Sequence, residues 1–158
     1  MNQTERHAAP NANNHPARIT EDRAVPWIPL GEGKAFKPLR FFSDNRGFVE
    51  LLRLDPGVEI CWHRHTGEVH AINLEGAREL HSGERVDIGD YVFEPAGNID
   101  RWVAVGDTPL IVHVVVMGAV EYVGANGEIE ARFDSNKMHE LYRDYCTEAG
   151  IDIVDLVD

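Results

Sequence analysis

The stretch GVEICWHRHTGEVHAINLEG, residues 57–76, begins at the turn sequence Asp55-Pro56-Gly57 and ends at Glu75-Gly76. Two segments within it, VEICWHRH and VHAINLEG, have the length and the β-branched and apolar content of strands. Neither has the three- and four-residue apolar spacing of an amphipathic helix. The stretch therefore predicts consecutive β-strands.

The same pattern continues on both sides of this stretch. Further strand-like segments are AFKPLRF, GFVELLRL, ARELHSG, YVFEPA, RWVAV, PLIVHVVVMG, AVEYVG and IEARF. They are separated by turn sequences such as Asp44-Asn45-Arg46-Gly47 and Ala125-Asn126-Gly127. Short strands with frequent turns and almost no helical periodicity predict an all-β sandwich or closed barrel.

The two ends of the chain have a different character. The first two dozen residues are rich in Asn, Pro, Ala and mixed charge, and bury too little apolar surface to offset the entropy of ordering them. Near the other end, Ser135-Asn136 can cap a helix that runs from Lys137 to about Glu148 and stops at Gly150. The predicted organisation is a flexible arm at 1–24, a β domain at 25–133, and a C-terminal helix and tail at 134–158.

Composition and charge narrow the classes of partner. The chain has 158 residues, and its 15 Lys and Arg against 27 Asp and Glu give a formal charge of −12. Such a surface repels phosphate backbones and anionic lipid, so we expect neither a nucleic-acid nor a membrane partner. Cys61 and Cys146 are too few for a disulfide framework, and no hydrophobic leader begins the sequence. We therefore expect a soluble protein of the reducing cytoplasm.

The densest cluster of potential metal ligands lies at the end of the first of these strands. Side chains two residues apart on a strand share a face, so His63 and His65 point the same way at a separation of about 6.6 Å along the chain. Two imidazoles at this spacing can bind one metal ion, and a third donor from a neighbouring strand would complete a facial set. On an exposed face, the same pair would be ordinary polar surface.

The surroundings of this pair form two spaced patterns. In the first, Gly57 is followed by five residues, by His63-x-His65, by an ionisable group and by Gly76. In the second, Gly89 is followed by five residues, by Pro95-Ala96-Gly97, and by two further residues before Asp100. Together the two patterns resemble the two motifs of a single-domain cupin, in which a histidine normally stands where this chain has Asp100.

The resemblance covers about Trp27 to Arg132 and implies a jelly-roll barrel. Residues 65–76, HTGEVHAINLEG, are most similar to the small cupin dioxygenases that cleave diketones and hydroxyacetophenones, the acetylacetone-cleaving and 2,4'-dihydroxyacetophenone dioxygenases. In those enzymes three histidines hold a non-haem iron(II). The resemblance therefore implies a divalent metal, with iron(II) expected and zinc, nickel or manganese as alternatives.

Carried over residue by residue, the resemblance assigns His63 and His65 as metal ligands and leaves the third ligand open. His70 falls where many cupins have a ligand glutamate, and Glu68 is an alternative carboxylate two residues before it. Asp100 can complete a set of two histidines and one carboxylate, which suits iron(II). If the shorter aspartate fails to reach the metal, either His70 completes the set or the site is weak or empty.

Other residues are candidates for contacts with a substrate. Alternation along the strand places Cys61 on the face of His63, where it would line the cavity. Trp102 shares a face with Asp100 and can form a wall of the pocket. His113 lies in the apolar run LIVHVVVMG and is either a buried histidine bonded to the backbone or a contact inside the barrel. Glu68 or His70, if not a ligand, can accept a proton from the substrate.

The resemblance implies a dioxygenase that cleaves a C–C bond in a small oxygenated ketone. Two further functions stay open: a non-redox isomerase or lyase that uses a divalent ion as a Lewis acid, and a cupin that binds a metal or small ligand without turnover. The open edges of a short barrel need covering, so we expect a homodimer.

Overall fold

The structure is a computed structural model that describes residues 17–158, so most of the predicted arm at 1–24 lies outside the described residues. Twelve β-strands make up almost half of the described residues, and one α-helix follows them. The strands are β1 (Ile28–Pro29), β2 (Lys34–Phe42), β3 (Gly47–Leu54), β4 (Glu59–His65), β5 (Val69–Glu75), β6 (Ala77–Leu80), β7 (Arg85–Val86), β8 (Tyr91–Glu94), β9 (Ile99–Val105), β10 (Leu110–Met117), β11 (Val120–Val123) and β12 (Ile129–Phe133). The helix is α1 (Ser135–Ala149).

The strands form two six-stranded antiparallel sheets that face each other. Sheet A has the order β1-β2-β3-β10-β5-β8, and sheet B has the order β12-β11-β4-β9-β6-β7. Consecutive strands β4 and β5 lie in different sheets, so the chain crosses the barrel between His65 and Val69. This is a jelly-roll barrel, and the predicted all-β barrel with a C-terminal helix is confirmed.

Gly76 makes the tight connection at the end of the quoted stretch. Its φ is +66°, a left-handed conformation that side chains other than glycine's rarely adopt. A Cβ atom at this position would lie 2.6 Å from the carbonyl oxygen of Pro109. The glycine therefore allows β5 to turn into β6 beside the start of β10.

Strand β4 carries an irregularity that determines which of its side chains face inward. Its pairing with β9 shifts register between Ile60 and His63. Because of this bulge, Ile60 and His63 both face the interior although they are three residues apart, and Cys61 is exposed. The strict alternation on which the prediction for Cys61 rested does not hold here.

Helix α1 packs over one end of the barrel. Its N-cap is Asp134, whose side chain accepts a hydrogen bond from the backbone N–H of Lys137, so the cap lies one residue before the predicted Ser135-Asn136. Gly150 ends the helix in a left-handed conformation, as its position in the sequence predicted. The buried stripe consists of Met138, Tyr142 and Cys146, which join Phe36, Phe41, Phe48, Val69 and Val116 in one core cluster.

A second core cluster fills the barrel away from the helix. It contains Leu54, Ile60, Ala71, Trp102, Ala104, Leu110 and Val112. The described part of the chain contains no helix long and apolar enough to cross a bilayer.

Candidate metal centre

His63 and His65 lie together on the inner face of β4, close to its end. They are 2% and 5% exposed, and their ring centroids are 4.9 Å apart with the rings nearly perpendicular. His63 Nδ1 lies 2.8 Å from the carbonyl oxygen of Cys61 and must donate the proton in that hydrogen bond. The other ring nitrogen, Nε2, is therefore left with a free lone pair, which is the tautomer that a metal ligand needs.

His65 is held neutral by its surroundings. Burial lowers the pKa of its imidazole to about 3; the neighbouring His63 contributes in the same direction, and the charge of Asp100 opposes them. Its Nδ1 is buried and has no hydrogen-bond partner among the described residues. A neutral buried imidazole is ready to coordinate a cation without first losing a proton.

Glu94, the last residue of β8, supplies a carboxylate to this pair. Its Oε2 lies 3.6 Å from His65 Nε2, and its Oε1 accepts a hydrogen bond of 2.8 Å from the side-chain amide of Asn98. One donor atom from each of His63, His65 and Glu94 lies within 4.8 Å of the others, and all three residues are buried. Two imidazoles and one carboxylate on one side of a cavity fit a divalent metal ion with open positions.

These ligand candidates form part of the wall of a cavity of about 180 Å³ between the two sheets. Most of the wall is apolar, with Leu52, Ile60 and Ala71 among its side chains. Phe133 and Met138 close the end nearest to α1. The cavity is small enough to exclude most water around a bound molecule of a few carbon atoms.

Arg78 brings a buried positive charge to this cavity. Its side chain is 3% exposed, and the guanidinium carbon lies 4.7 Å from the centre of the Trp102 ring. Its Nε and Nη2 are buried without hydrogen-bond partners among the described residues. Burial lowers the pKa of Arg78, while the negative charges of Glu94 and Asp100 act in the opposite direction. The guanidinium therefore has N–H groups free for an anionic oxygen.

Glu50 and Tyr122 also contribute polar groups to the wall. Burial raises the pKa of Glu50 to about 8, so this carboxyl is mostly protonated at neutral pH. Burial, with the nearby Glu50 as a second cause, raises the pKa of Tyr122 to about 12. The Tyr122 ring centre lies 5.9 Å from that of His63. Tyr122 thus places an aromatic ring beside the histidine pair.

The structure does not bring the predicted His70 or Glu68 to the histidine pair. Val69 and Ala71 occupy the inward positions of β5, so His70 points to the outer face of sheet A. There its ring nitrogens contact Tyr91 and, at 3.1 Å, Glu68 Oε1. Glu68 is more than half exposed and lies outside the cavity.

Asp100 lies beside His63 on the adjacent strand but has other partners. Its Oδ1 accepts hydrogen bonds of 2.6 Å from His81 Nδ1 and 2.8 Å from the backbone N–H of Arg101. The converging donor atoms include no oxygen of Asp100. The donor atoms that converge among the described residues come from His63, His65 and Glu94, which the sequence analysis did not name as a candidate.

Of the predicted substrate contacts, the structure places only Trp102 in the cavity wall. Cys61 is exposed because of the bulge in β4. His113 is half-buried in β10, where Val114 and Val116 face the cavity and His113 faces the other way. Sequence reasoning missed Glu94, Glu50 and Arg78. The sequence did offer one indication of Glu94. It lies two residues after the apolar Val92 on a short strand, and side chains at this spacing share a face.

The family of ChrR cupin-like domains matches residues 15–121, which is more than half of the chain. The chain belongs to the ChrR cupin-like family. This membership confirms the resemblance to cupins that the two sequence motifs indicated. No curated protein matches the chain.

Several solved cupin structures have the same fold as this chain, although their sequence identity to it is low. An RmlC-like cupin from Ralstonia eutropha is 21% identical over 90% of this chain and 95% of its own, with a TM-score of 0.85. An acetylacetone dioxygenase from Acinetobacter johnsonii is 13% identical over 87% of this chain and 97% of its own, with a TM-score of 0.71. The Rhodobacter sphaeroides complex of SigE with the anti-sigma ChrR is 24% identical over 63% of this chain and 52% of its own, with a TM-score of 0.52. At these identities the similarity establishes the fold.

Proposed function

We propose that the protein is a metal-dependent dioxygenase that cleaves a C–C bond in a small oxygenated ketone, such as a β-diketone or a hydroxyacetophenone. The observation that carries the proposal is the convergence of His63, His65 and Glu94 on the wall of a small, mostly apolar cavity. The fold that the chain shares with an acetylacetone dioxygenase supports the choice of reaction.

In this proposal the three ligands are His63, His65 and Glu94, and the metal is iron(II). A bound iron(II) ion supplies open coordination positions and the redox chemistry that dioxygen requires. The hydrogen bond from Asn98 fixes the orientation of the Glu94 carboxylate, and the Cys61 carbonyl fixes the ring of His63. The unpartnered N–H groups of Arg78 attract the negative oxygen of an enolised substrate.

A non-redox function is the second candidate, since the donor set also fits other ions. Two histidines and one glutamate hold zinc in several hydrolytic enzymes. With zinc, nickel or manganese the same cavity would act by polarising a substrate carbonyl, as in an isomerase or lyase.

Metal analysis with oxygen measurements separates the two functions. Protein purified without added ions should contain iron, and it should consume oxygen when acetylacetone or 2,4'-dihydroxyacetophenone is added. His63→Ala should retain neither the metal nor the oxygen uptake. Bound zinc with no oxygen consumption on either compound would contradict the dioxygenase and favour the second candidate.

We also propose that the protein forms a homodimer through the outer face of sheet A. Large apolar side chains are exposed there, with Ile72, Leu74, Tyr91 and Phe93 between 41% and 56% accessible. They lie on β5 and on β8, the edge strand of the sheet. A second copy would cover both the apolar patch and the unpaired edge.

Phe93→Glu should convert the dimer into a monomer, because it places a charge in the middle of the patch. The matched control is Ile129→Glu on β12 of sheet B, where the original side chain is about equally exposed. Size-exclusion chromatography with light scattering would show a dimer for the control variant. A monomeric unmodified protein would contradict the proposal.

We place the protein in the cytoplasm, with a small molecule as its substrate and no nucleic-acid or membrane partner. The thiols of Cys61 and Cys146 are both free, and Cys61 is exposed, which suits a reducing compartment. The formal charge of −12 disfavours binding to phosphate backbones.

A further inference from the structure

Glu50 is placed in the cavity by the alternation of β3. It lies next to Pro38 of β2 and Val114 of β10 in sheet A, and it faces sheet B, which carries the histidine pair. The side chain is 7% exposed and forms part of the cavity wall. A molecule bound at His63 and His65 in a cavity of about 180 Å³ would come close to this carboxyl.

Glu50 differs from the other buried carboxylates among residues 17–158. Glu121 pairs with two arginines, Asp100 accepts hydrogen bonds around its Oδ1, and Glu94 is bonded to Asn98. Glu50 Oε2 is buried and has no partner within the described chain. An unpaired buried carboxyl costs stability, so its place in the cavity points to a role with a bound molecule.

Burial keeps a proton available on Glu50 near neutral pH. Burial is the cause that raises its pKa to about 8, and a group that titrates near the working pH is suited to take up and return a proton. The titratable and charged groups that share the cavity wall with it are Lys34 of β2, His63 and His65 of β4, Arg78 of β6, Glu94 of β8 and Tyr122 of β11.

We propose that Glu50 is the acid–base residue of the cavity and accepts the proton that an enolisable ketone loses. The assignment rests on the proposed function for its substrate. The C–H bond next to the ketone breaks, its electron pair forms the C=C bond of the enolate, and the carbonyl π electrons move to the oxygen. The proton goes to a carboxylate oxygen of Glu50. Arg78 stabilises the enolate oxygen, and the reverse transfer returns the proton.

Hydrogen exchange without oxygen tests this step separately from C–C cleavage. Full-length protein loaded with iron(II) is incubated under nitrogen in D₂O with 2-hydroxyacetophenone, and NMR follows the loss of the hydrogens next to the carbonyl. We expect exchange faster than in buffer, increasing with pH until Glu50 is ionised. Glu50→Gln should slow it by about 10²- to 10⁴-fold, the usual contribution of a general base.

Glu130→Gln is the matched control, because Glu130 is exposed on β12 outside the cavity, and it should exchange at the unmodified rate. A direct readout in metal-free protein is the carbon NMR titration of glutamate carboxyls, where one resonance should titrate near pH 8 and be absent from Glu50→Gln. Unchanged exchange in Glu50→Gln, or none in the unmodified protein, would overturn the assignment. Exchange that depends on Glu50, without oxygen uptake in air, would support it and contradict the dioxygenase.

Discussion

Glu94→Gln should lower the affinity of the protein for iron(II) or zinc by more than a hundredfold. The substitution keeps the size of the side chain and removes the only carboxylate charge among the three converging donors. Loss of an outer hydrogen-bond partner of a ligand typically costs roughly 10- to 100-fold, so the loss of a ligand charge should exceed that range. Competition with a fluorescent chelator would measure the dissociation constant.

Variants of the other candidates identify the third ligand. Asp100→Asn and His70→Gln should bind the metal as the unmodified protein does, since neither side chain joins the converging donor atoms. Asn98→Ala should weaken binding to an intermediate extent, because it releases the carboxylate of Glu94. If Asp100→Asn lost the metal while Glu94→Gln retained it, the third metal ligand would be Asp100 and not Glu94.

The second large effect concerns the pH dependence of stability. The pKa of Glu50 is raised from 4.5 to about 8 in the folded protein, so the folded state keeps a proton that the unfolded state releases. The contribution of Glu50 to the free energy of unfolding is therefore fully present below pH 4.5 and declines as the pH increases to about 8. At pH 7 the loss amounts to about 3 kcal/mol. Glu50→Gln should lack this decline.

Glu121→Gln provides a control of opposite sign. Hydrogen bonds and charges of Arg64 and Arg132 lower the pKa of Glu121, with the Arg64 hydrogen bond as the largest cause. Its contribution to stability is present above the pKa of the unfolded chain and is lost as the pH falls. Urea unfolding of metal-free protein, from below pH 4.5 for Glu121 up to pH 8.5 for Glu50, measures how the free energy of unfolding of each variant changes with pH. Equal slopes for Glu50→Gln and the unmodified protein would refute the raised pKa.

The fold was predictable because its signals are local. Turn sequences at short intervals predicted the strands, and Gly150 predicted the end of α1. The jelly roll was implied by the resemblance of the two spaced motifs to those of cupins. Strands β1 and β7 were missed because two residues each carry no periodic pattern. The cap at Asp134 was missed by one residue because neighbouring polar residues all have capping side chains.

The candidate site was predictable only where its residues are neighbours in sequence. His63 and His65 are two residues apart on one strand, so alternation alone placed them together. Glu94, the third residue whose donor atoms converge with theirs, comes from β8 of the opposite sheet and could be paired with them only after the sheets were known. The bulge in β4 reversed the expected direction of Cys61, since a bulge leaves little trace in the pattern of residue types.

The wall contributed by Phe133 and Met138 has a consequence for which residues set the size of the cavity. Both residues come after position 121, where the match to the family ends, yet they close one end of the chamber that faces the histidine pair. Substitutions at Phe133 on β12 or at Met138 on α1 would therefore change the space for a ligand while leaving His63, His65 and Glu94 in place. The residues that set the size of a molecule fitting this chamber are thus separate from the residues whose donor atoms converge.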